Sequence, residues 1–212
     1  PIQGMSNSSA AKGETVEDTI KTFASYSDVI VIRHPEVGSA KRAANAASIP
    51  VINAGDGIGE HPTQALLDLF TIVNKFNKVD GLKVALVGDL LNGRTVHSLS
   101  KLLVKMGKVE LFFVSPTILR MPENIKKKIA SQSSIVELDK LENVIDKVDI
   151  IYMTRVQKER FNNLKSYEKL KDYYILTKKL MEKAKKSAIV MHPLPRIGEI
   201  SEEVDRDPRA LY

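Results

Sequence analysis

The stretch LKVALVGDLLNGRTVHSLSKLLVKMGKVELFFVS, residues 82–115, decides the fold. It begins with an apolar run, passes through a polar loop between two glycines, continues with apolar residues at helical spacing and ends in a second apolar run. Continuous apolar runs of this length are typical of strands in a parallel sheet that is buried on both faces. The stretch therefore predicts a strand, a helix and a second strand parallel to the first.

The same alternation extends over the whole chain and predicts the α/β class. A polar segment with an Asp-Gly pair, residues 76–83, is the best candidate for a linker, so we expect one domain over 1–80 and another over 81–212. Helices are predicted within residues 14–26, 62–76, 95–107 and 122–130. Strands are predicted at residues 28–33, 49–53, 82–89, 109–115, 148–155 and 187–192.

Composition narrows the function classes. The chain has 212 residues, 43% of them hydrophobic, which is enough for a real core. Its net charge is +6, but the lysine clusters alternate with apolar residues at helical spacing, which indicates solvated helix faces rather than a nucleic-acid surface. There is no cysteine, no apolar run of membrane-spanning length and no signal-peptide pattern, so we expect a cytoplasmic protein without disulfides, membrane contact or a nucleic-acid partner.

Unusual polar residues directly follow the predicted strands. In open α/β sheets, ligands bind beyond the carboxyl ends of the strands, so these segments are the predicted edges of a binding crevice. They are residues 33–35, 53–61, 88–95, 154–157 and 192–196.

The segment GDGIGEHPTQ, residues 55–64, predicts a donor pair at the start of a helix. Proline is favoured in the first helical turn, so the helix should begin at Pro62 with His61 at its positive end. This location disfavours the imidazolium form, and a neutral ring there can donate a hydrogen bond to a substrate oxygen. Gln64 lies near the same helix end and carries both a donor and an acceptor. The alternative is that His61 only caps the helix.

Two arginines after strands suit a dicarboxylate. Arg94 is the arginine of the pattern G-x-x-x-x-G-R-T at residues 88–95, which differs from a phosphate-binding loop by the missing lysine, and we read it as a carboxylate clamp. Arg155 and Gln157 are two residues apart in an extended segment, so both can reach one ligand. A nucleotide-binding loop, or surface charges with Arg155 paired to Glu159, are the alternatives.

Two further loops are less specific. The polar segment 6–15, with Ser8 and Lys12, is by default a solvated terminus. Pro193 and Pro195 stiffen the loop 192–196, whose backbone carbonyls could orient an amino or amide group. No histidine spacing indicates a metal site.

Six segments taken in order resemble the catalytic chain of the aspartate carbamoyltransferase family. They are AKGETVEDTI (11–20), VIRHPEVGSA (31–40), PVINAGDGIGEHPTQALLDLFTI (50–72), VGDLLNGRTVHSL (87–99), YMTRVQKERF (152–161) and MHPLPRIGEI (191–200). The resemblance covers essentially all of the chain. It implies the carbamoyltransferase fold, with two three-layer parallel-sheet domains of which the second is Rossmann-like. The first would bind carbamoyl phosphate and the second aspartate.

The resemblance also implies roles for the matching residues. Arg33 and His61 would contact the carbonyl oxygen of carbamoyl phosphate, and Gln64 its amide nitrogen. Arg94, Arg155 and Gln157 would bind L-aspartate, while Pro193 and Leu194 supply carbonyls near the reacting nitrogens. Ser8 and Lys12 would enter the active site of a neighbouring subunit, with Lys12 near both substrates, which makes the functional unit a homotrimer.

The implied reaction transfers a carbamoyl group to the α-amino group of aspartate, in pyrimidine biosynthesis, without a metal or cofactor. The family's Ser-Thr-Arg-Thr phosphate-binding loop is expected before residue 1 and a terminal helix after Tyr212. We therefore expect the 212 residues alone to be inactive. The rival interpretation is a non-catalytic aspartate-binding homologue that acts as a regulatory subunit.

Overall fold

The computed structural model describes residues 9–156 and 173–212. The chain forms two compact units, Pro1–Thr63 and Gln64–Tyr212. Within the described ranges, no helix combines the length and the hydropathy that a transmembrane span requires.

The smaller unit packs two helices on a two-stranded parallel sheet. Strand β1 (Ile30–His34) pairs with β2 (Val51–Asp56), and helices α1 (Val16–Ala24) and α2 (Ser39–Ala46) contact each other. The Thr15 hydroxyl accepts a hydrogen bond from the Asp18 N–H and so caps α1. The sequence did not predict α2, because its buried residues are small, Ser39, Ala40 and Ala43, and give no large apolar stripe.

The larger unit contains a five-stranded, wholly parallel sheet in the order β5-β4-β3-β6-β7. The strands are β3 (Lys83–Val87), β4 (Glu110–Val114), β5 (Ser134–Leu138), β6 (Ile150–Met153) and β7 (Ile189–Met191). The helices are α3 (Pro62–Phe76), whose first two residues belong to the smaller unit, α4 (Arg94–Met106), α5 (Glu123–Ile129) and α6 (Lys178–Met181).

Alternating side chains of this sheet build two separate cores. Val84 and Leu86 face one core together with Leu99 of α4 and Ile72 of α3, whereas Ala85 and Val87 face the other. The second core is completed by segments around Leu141–Asn143, α6 and Glu202–Arg206. The larger unit therefore has three layers, and the predicted α/β class with parallel sheets is confirmed.

The structure differs from the sequence interpretation in one additional strand and in the position at which the two units divide. Strand β5 was not predicted, because SIVEL lies at the sheet edge and is only partly buried, so it lacks a continuous apolar run. The compact units divide at Thr63, whereas the predicted linker lies at 76–83, because Leu69, Ile72 and Phe76 of α3 pack in the core of the larger unit. The division of function at residue 80 stays a prediction.

Candidate active site

A buried carboxylate shapes the turn that precedes His61. Asp56, 6% exposed, accepts hydrogen bonds from the N–H groups of Gly38 (2.9 Å) and Glu60 (2.7 Å). Gly57 has φ 56°, and a Cβ there would lie 2.4 Å from the Pro35 oxygen. Glycine is therefore required where the turn approaches the end of β1.

Arg33 and His61 both belong to the smaller unit. The β1–β2 register shifts between Ile32 and His34, so Arg33 lies at an irregularity of the ladder and its side chain is exposed. Such bulges redirect side chains and are common next to active sites. His61 lies immediately before α3, with its Nδ1 atom 3.3 Å from the Thr63 hydroxyl. If that hydroxyl donates to Nδ1, the ring proton lies on Nε2.

In the larger unit, the carboxyl ends of β3 and β6 form the topological switch point. The chain moves from β3 to β4 in one direction and later adds β6 on the other side of β3. Ligands of open α/β sheets bind at such a point. Arg94 begins α4 after β3, and Arg155 follows β6, so the structure brings both half-buried arginines to this edge of the sheet. Pro193 and Leu194 follow β7, the neighbour of β6.

The loops after β3 and β6 are in close contact. Thr154 donates its hydroxyl and its backbone N–H to the Val87 oxygen, each at 2.8 Å. Gly88 has φ 116°, and a Cβ there would lie 2.3 Å from the Thr154 oxygen. Only glycine permits this approach, which holds the segment carrying Arg155 against the loop that leads to Arg94.

The loop between Gly88 and Arg94 is held by hydrogen bonds to one of its own side chains, the Asp89 carboxylate. The fully buried Asp89 accepts hydrogen bonds from the Asn92 N–H at 2.9 Å and from its side-chain amide at 3.1 and 3.2 Å. The backbone donor of Asn92 is thereby used inside the loop, by the Asp89 carboxyl. This arrangement argues against the nucleotide-binding alternative for residues 88–95.

A buried network holds Gln64. Its Nε2 atom donates to Asp68 Oδ1 at 3.0 Å, and the Tyr152 hydroxyl donates to Asp68 Oδ2 at 2.7 Å. Asp68 and Tyr152 are 2% and 0% exposed. Burial raises the pKa of the Asp68 carboxyl to about 6, although the hydrogen bonds from Tyr152 and Gln64 act to lower it. Because the Gln64 amide nitrogen points to Asp68, the orientation of the amide is defined.

A second buried pair lies beneath the loop after β7. His192 Nε2 is 2.7 Å from Glu199 Oε1, and His192 Nδ1 accepts the Leu194 N–H at 2.8 Å. Glu199 Oε2 also accepts the N–H groups of Ile197 (3.1 Å) and Gly198 (3.0 Å). Burial acts to raise the pKa of Glu199, but the hydrogen bonds from His192 and from backbone N–H groups outweigh it and lower the pKa to about 2. Glu199 is therefore ionised at working pH.

Three further residues of the predicted site are exposed or lie outside the described residues. Lys12 is exposed at the end of the short helical turn Ser9–Lys12. Ser8 and Gln157 lie outside the described residues. Across 9–156 and 173–212, no group of three or more His, Asp or Glu side chains could hold a metal ion.

Family models match both halves of the chain. Residues 80–212 match the model described as "Aspartate/ornithine carbamoyltransferase, Asp/Orn binding domain". Residues 2–74 match "Aspartate/ornithine carbamoyltransferase, carbamoyl-P binding domain". The chain belongs to the aspartate/ornithine carbamoyltransferase family. The resemblance seen in the sequence is thus confirmed.

Relatives of this chain come from several lineages. The chloroplastic aspartate carbamoyltransferase of Arabidopsis thaliana is 55% identical over 97% of the chain, and the catalytic subunit of Alkaliphilus oremlandii is 50% identical over 98%. The chain spans 53% and 63% of these two proteins. Aspartate transcarbamoylase from Trypanosoma cruzi, solved with carbamoyl phosphate and aspartate, superposes with a TM-score of 0.92 at 44% identity and covers all of the chain, which spans 70% of that structure.

Sequence reasoning missed the buried residues that support the candidate site. Asp68 follows Gln64 by four positions, one helical turn, and a carboxylate within LLDLF was the available signal. Tyr152 was counted only as a strand residue, and its bond to Asp68 joins positions 84 residues apart. Glu199 had no signal beyond its place in the segment RIGEI.

Proposed function

We propose that this protein transfers the carbamoyl group of carbamoyl phosphate to the α-amino group of L-aspartate, giving N-carbamoyl-L-aspartate and phosphate in pyrimidine biosynthesis. The observation that carries the proposal is the location of Arg94 and Arg155 at the switch point of the larger sheet. Two guanidinium groups there suit the two carboxylates of aspartate, and the region matches an Asp/Orn-binding model. Gln157 belongs to the same proposed aspartate site.

We assign carbamoyl phosphate to donors at the end of β1 and directly before α3. Arg33 and His61 donate to the carbonyl oxygen, where negative charge develops, and stabilise the transition state more than the ground state. Donation from the Thr63 hydroxyl to His61 Nδ1, 3.3 Å away, would give the required Nε2–H form of His61. Gln64, Pro193 and Leu194 provide acceptors for the carbamoyl and amino nitrogens.

The transfer needs positioning rather than a cofactor. The aspartate nitrogen attacks the carbamoyl carbon, a carbon–nitrogen bond forms and the bond from carbon to the phosphate oxygen breaks. The departing phosphate accepts the proton that the amine loses. Arginine-held carboxylates keep nitrogen and carbon at near-attack distance, which removes much of the entropic barrier.

The remaining assignments belong to the same proposal. Residues 1–80 bind carbamoyl phosphate and residues 81–212 bind aspartate. Three copies assemble, and Ser8 and Lys12 reach the site of a neighbouring copy. The exposed Lys12 side chain is compatible with this role. We further propose a cytoplasmic location. Several relatives are chloroplastic, so cell fractionation is needed to test it.

The test is carbamoyl aspartate formation by the full-length protein that contains this chain. We compare the wild type with Arg155→Ala and with Arg206→Ala, which changes an exposed arginine of the same unit. Loss of paired bonds to a carboxylate should raise the KM for aspartate about 100-fold in Arg155→Ala. Arg206→Ala should behave as the wild type. Equal kinetics in both variants would contradict the aspartate assignment.

The regulatory alternative has a distinct outcome. A folded wild-type protein that binds aspartate but forms no carbamoyl aspartate, with any carbamoyl phosphate concentration, would refute the transferase proposal. Aspartate binding is measured by calorimetry on the same preparation, so lack of activity cannot be confused with lack of folding.

A further inference from the structure

The loop after β7 contains a backbone outlier that requires support. Leu194 has φ 49°, which lies in the left-handed region that residues with a Cβ avoid. Its side chain is 51% exposed, so packing of the leucine itself does not explain the conformation. Such outliers persist only where surrounding groups over-determine them, and they cluster at functional sites.

Two buried side chains provide that support. The Leu194 N–H donates to His192 Nδ1 at 2.8 Å, so this nitrogen is an acceptor and the ring proton lies on Nε2. Nε2 is 2.7 Å from Glu199 Oε1 and therefore donates to it. Both side chains are nearly excluded from solvent, at 6% and 5% exposure. The ring is thus held at both nitrogens.

Glu199 is itself held by the chain that follows. Its Oε2 atom accepts the N–H groups of Ile197 and Gly198, so both carboxylate oxygens are occupied. The path of hydrogen bonds therefore runs from the backbone at 197–198, through the carboxylate and the imidazole, to the N–H of Leu194. The central step, between His192 and Glu199, joins two buried side chains.

We propose that His192 and Glu199 are positioning residues for carbamoyl transfer: Glu199 orients the His192 ring, and His192 Nδ1 sets the Pro193–Leu194 backbone whose carbonyls meet the reacting nitrogens. This inference rests on the proposed function, in which those carbonyls orient the carbamoyl amide and the attacking amine. Neither His192 nor Glu199 contacts substrate in this assignment. Their effect belongs to kcat, because arginines hold the carboxylates of aspartate.

Two substitutions of His192 separate the two ring nitrogens. His192→Asn keeps an acceptor near the Nδ1 position, where a side-chain oxygen can accept the N–H two residues on, and it removes the donor to Glu199. His192→Gln keeps a donor near the Nε2 position and removes the acceptor for Leu194. The first variant leaves a buried carboxylate short of a donor and should be the less stable.

The proposal predicts opposite orders for stability and turnover. Measured on the full-length protein, kcat should fall less than about tenfold in His192→Asn and about 100-fold in His192→Gln, since misplacing a group by about 1 Å costs this much. The KM for aspartate should change by less than about threefold in both. The midpoint of thermal unfolding should instead be lower for His192→Asn.

The outcomes separate this inference from the function on which it rests. If kcat follows thermal stability, so that His192→Asn is the slower variant, the pair is only structural and the proposal is wrong while the transferase stands. A wild type without turnover would refute the proposed function and this inference together. Nitrogen NMR of the His192 ring needs no turnover, and a proton on Nδ1 would overturn the proposed hydrogen-bond path in either case.

Discussion

Replacing Tyr152 by phenylalanine should destabilise the larger unit by an amount that depends on pH. The substitution removes only the hydroxyl, which donates to Asp68 Oδ2 at 2.7 Å in a site where both residues are buried. The Asp68 carboxyl has a pKa raised to about 6 by burial, and the Tyr152 hydrogen bond opposes that rise. Without the hydroxyl, the ionised carboxylate loses a donor, so its pKa should rise further.

The sign follows from the raised pKa. A carboxyl with a folded pKa of about 6 and an ordinary pKa of 3.8 imposes no penalty below pH 3.8, and the penalty is complete above about pH 6. A hydrogen bond to a charged group contributes about 1.5–3 kcal/mol and one to a neutral group about 1 kcal/mol. Tyr152→Phe should therefore cost about 1 kcal/mol at pH 5 and about 2–3 kcal/mol at pH 8.

Urea unfolding of wild type and variant at the two pH values measures this difference. Tyr174→Phe is the matched control, because the Tyr174 hydroxyl donates at 2.7 Å to a neutral acceptor, the Asp139 carbonyl oxygen. Its cost should be the same at both pH values. A Tyr152→Phe cost that is equal at pH 5 and pH 8 would show that Asp68 does not change its ionisation between these pH values in the folded protein, and the reasoning would fail.

Two other perturbations follow from the same loops. Gly88→Ala should cost about 3 kcal/mol in unfolding free energy, because a Cβ 2.3 Å from the Thr154 oxygen adds overpacking to the positive-φ strain. The control Gly81→Ala, at φ 78° with open space around it, should cost about 1–2 kcal/mol. Equal costs for the two variants would contradict the close contact between Gly88 and Thr154. Glu199→Gln should remove the part of acid unfolding due to Glu199, whose pKa of about 2 adds stability that is present above pH 4.5 and is lost as the pH falls towards 2. Stability curves of equal slope over pH 2–4.5 would contradict this prediction.

The fold was predictable where strands are buried on both faces. Four of the five strands of the larger sheet are continuous apolar runs, since α-helices and short turns cover both faces, and the sequence shows this directly. Strand β5 escaped because an edge strand with partly buried side chains needs no such run. Helix α2 was not predicted because its buried residues Ala40 and Ala43 are small and give no large apolar stripe.

The sequence predicted the residues of the candidate site that directly follow strands, but not the buried residues that support them. Residues that follow strands can be read from the order of apolar and polar segments, which is why Arg94 and Arg155 were found. The partners of Gln64 and Leu194 are fixed by tertiary contacts instead. Asp68 meets Tyr152 only because α3 packs on the sheet, and a single sequence contains no signal for a pairing over 84 positions.

The buried carboxylates reveal how the site is supported. Among the residues described, 9–156 and 173–212, four carboxylates are buried: Asp56, Asp68, Asp89 and Glu199. Each accepts hydrogen bonds within a segment that bears a predicted ligand group, namely the turn before His61, the amide of Gln64, the loop before Arg94 and the loop of Leu194.

Burying a carboxylate is unfavourable, and apolar residues of similar size often give more stable proteins at such positions. A purely structural selection would scatter these groups or remove them. Their restriction to the four predicted ligand segments indicates that they lower the stability of the fold but fix the positions of the predicted ligand groups. Such preorganisation is what the proposed carbamoyl transfer requires, since its barrier is lowered by donors that are already in place when charge develops on the carbonyl oxygen.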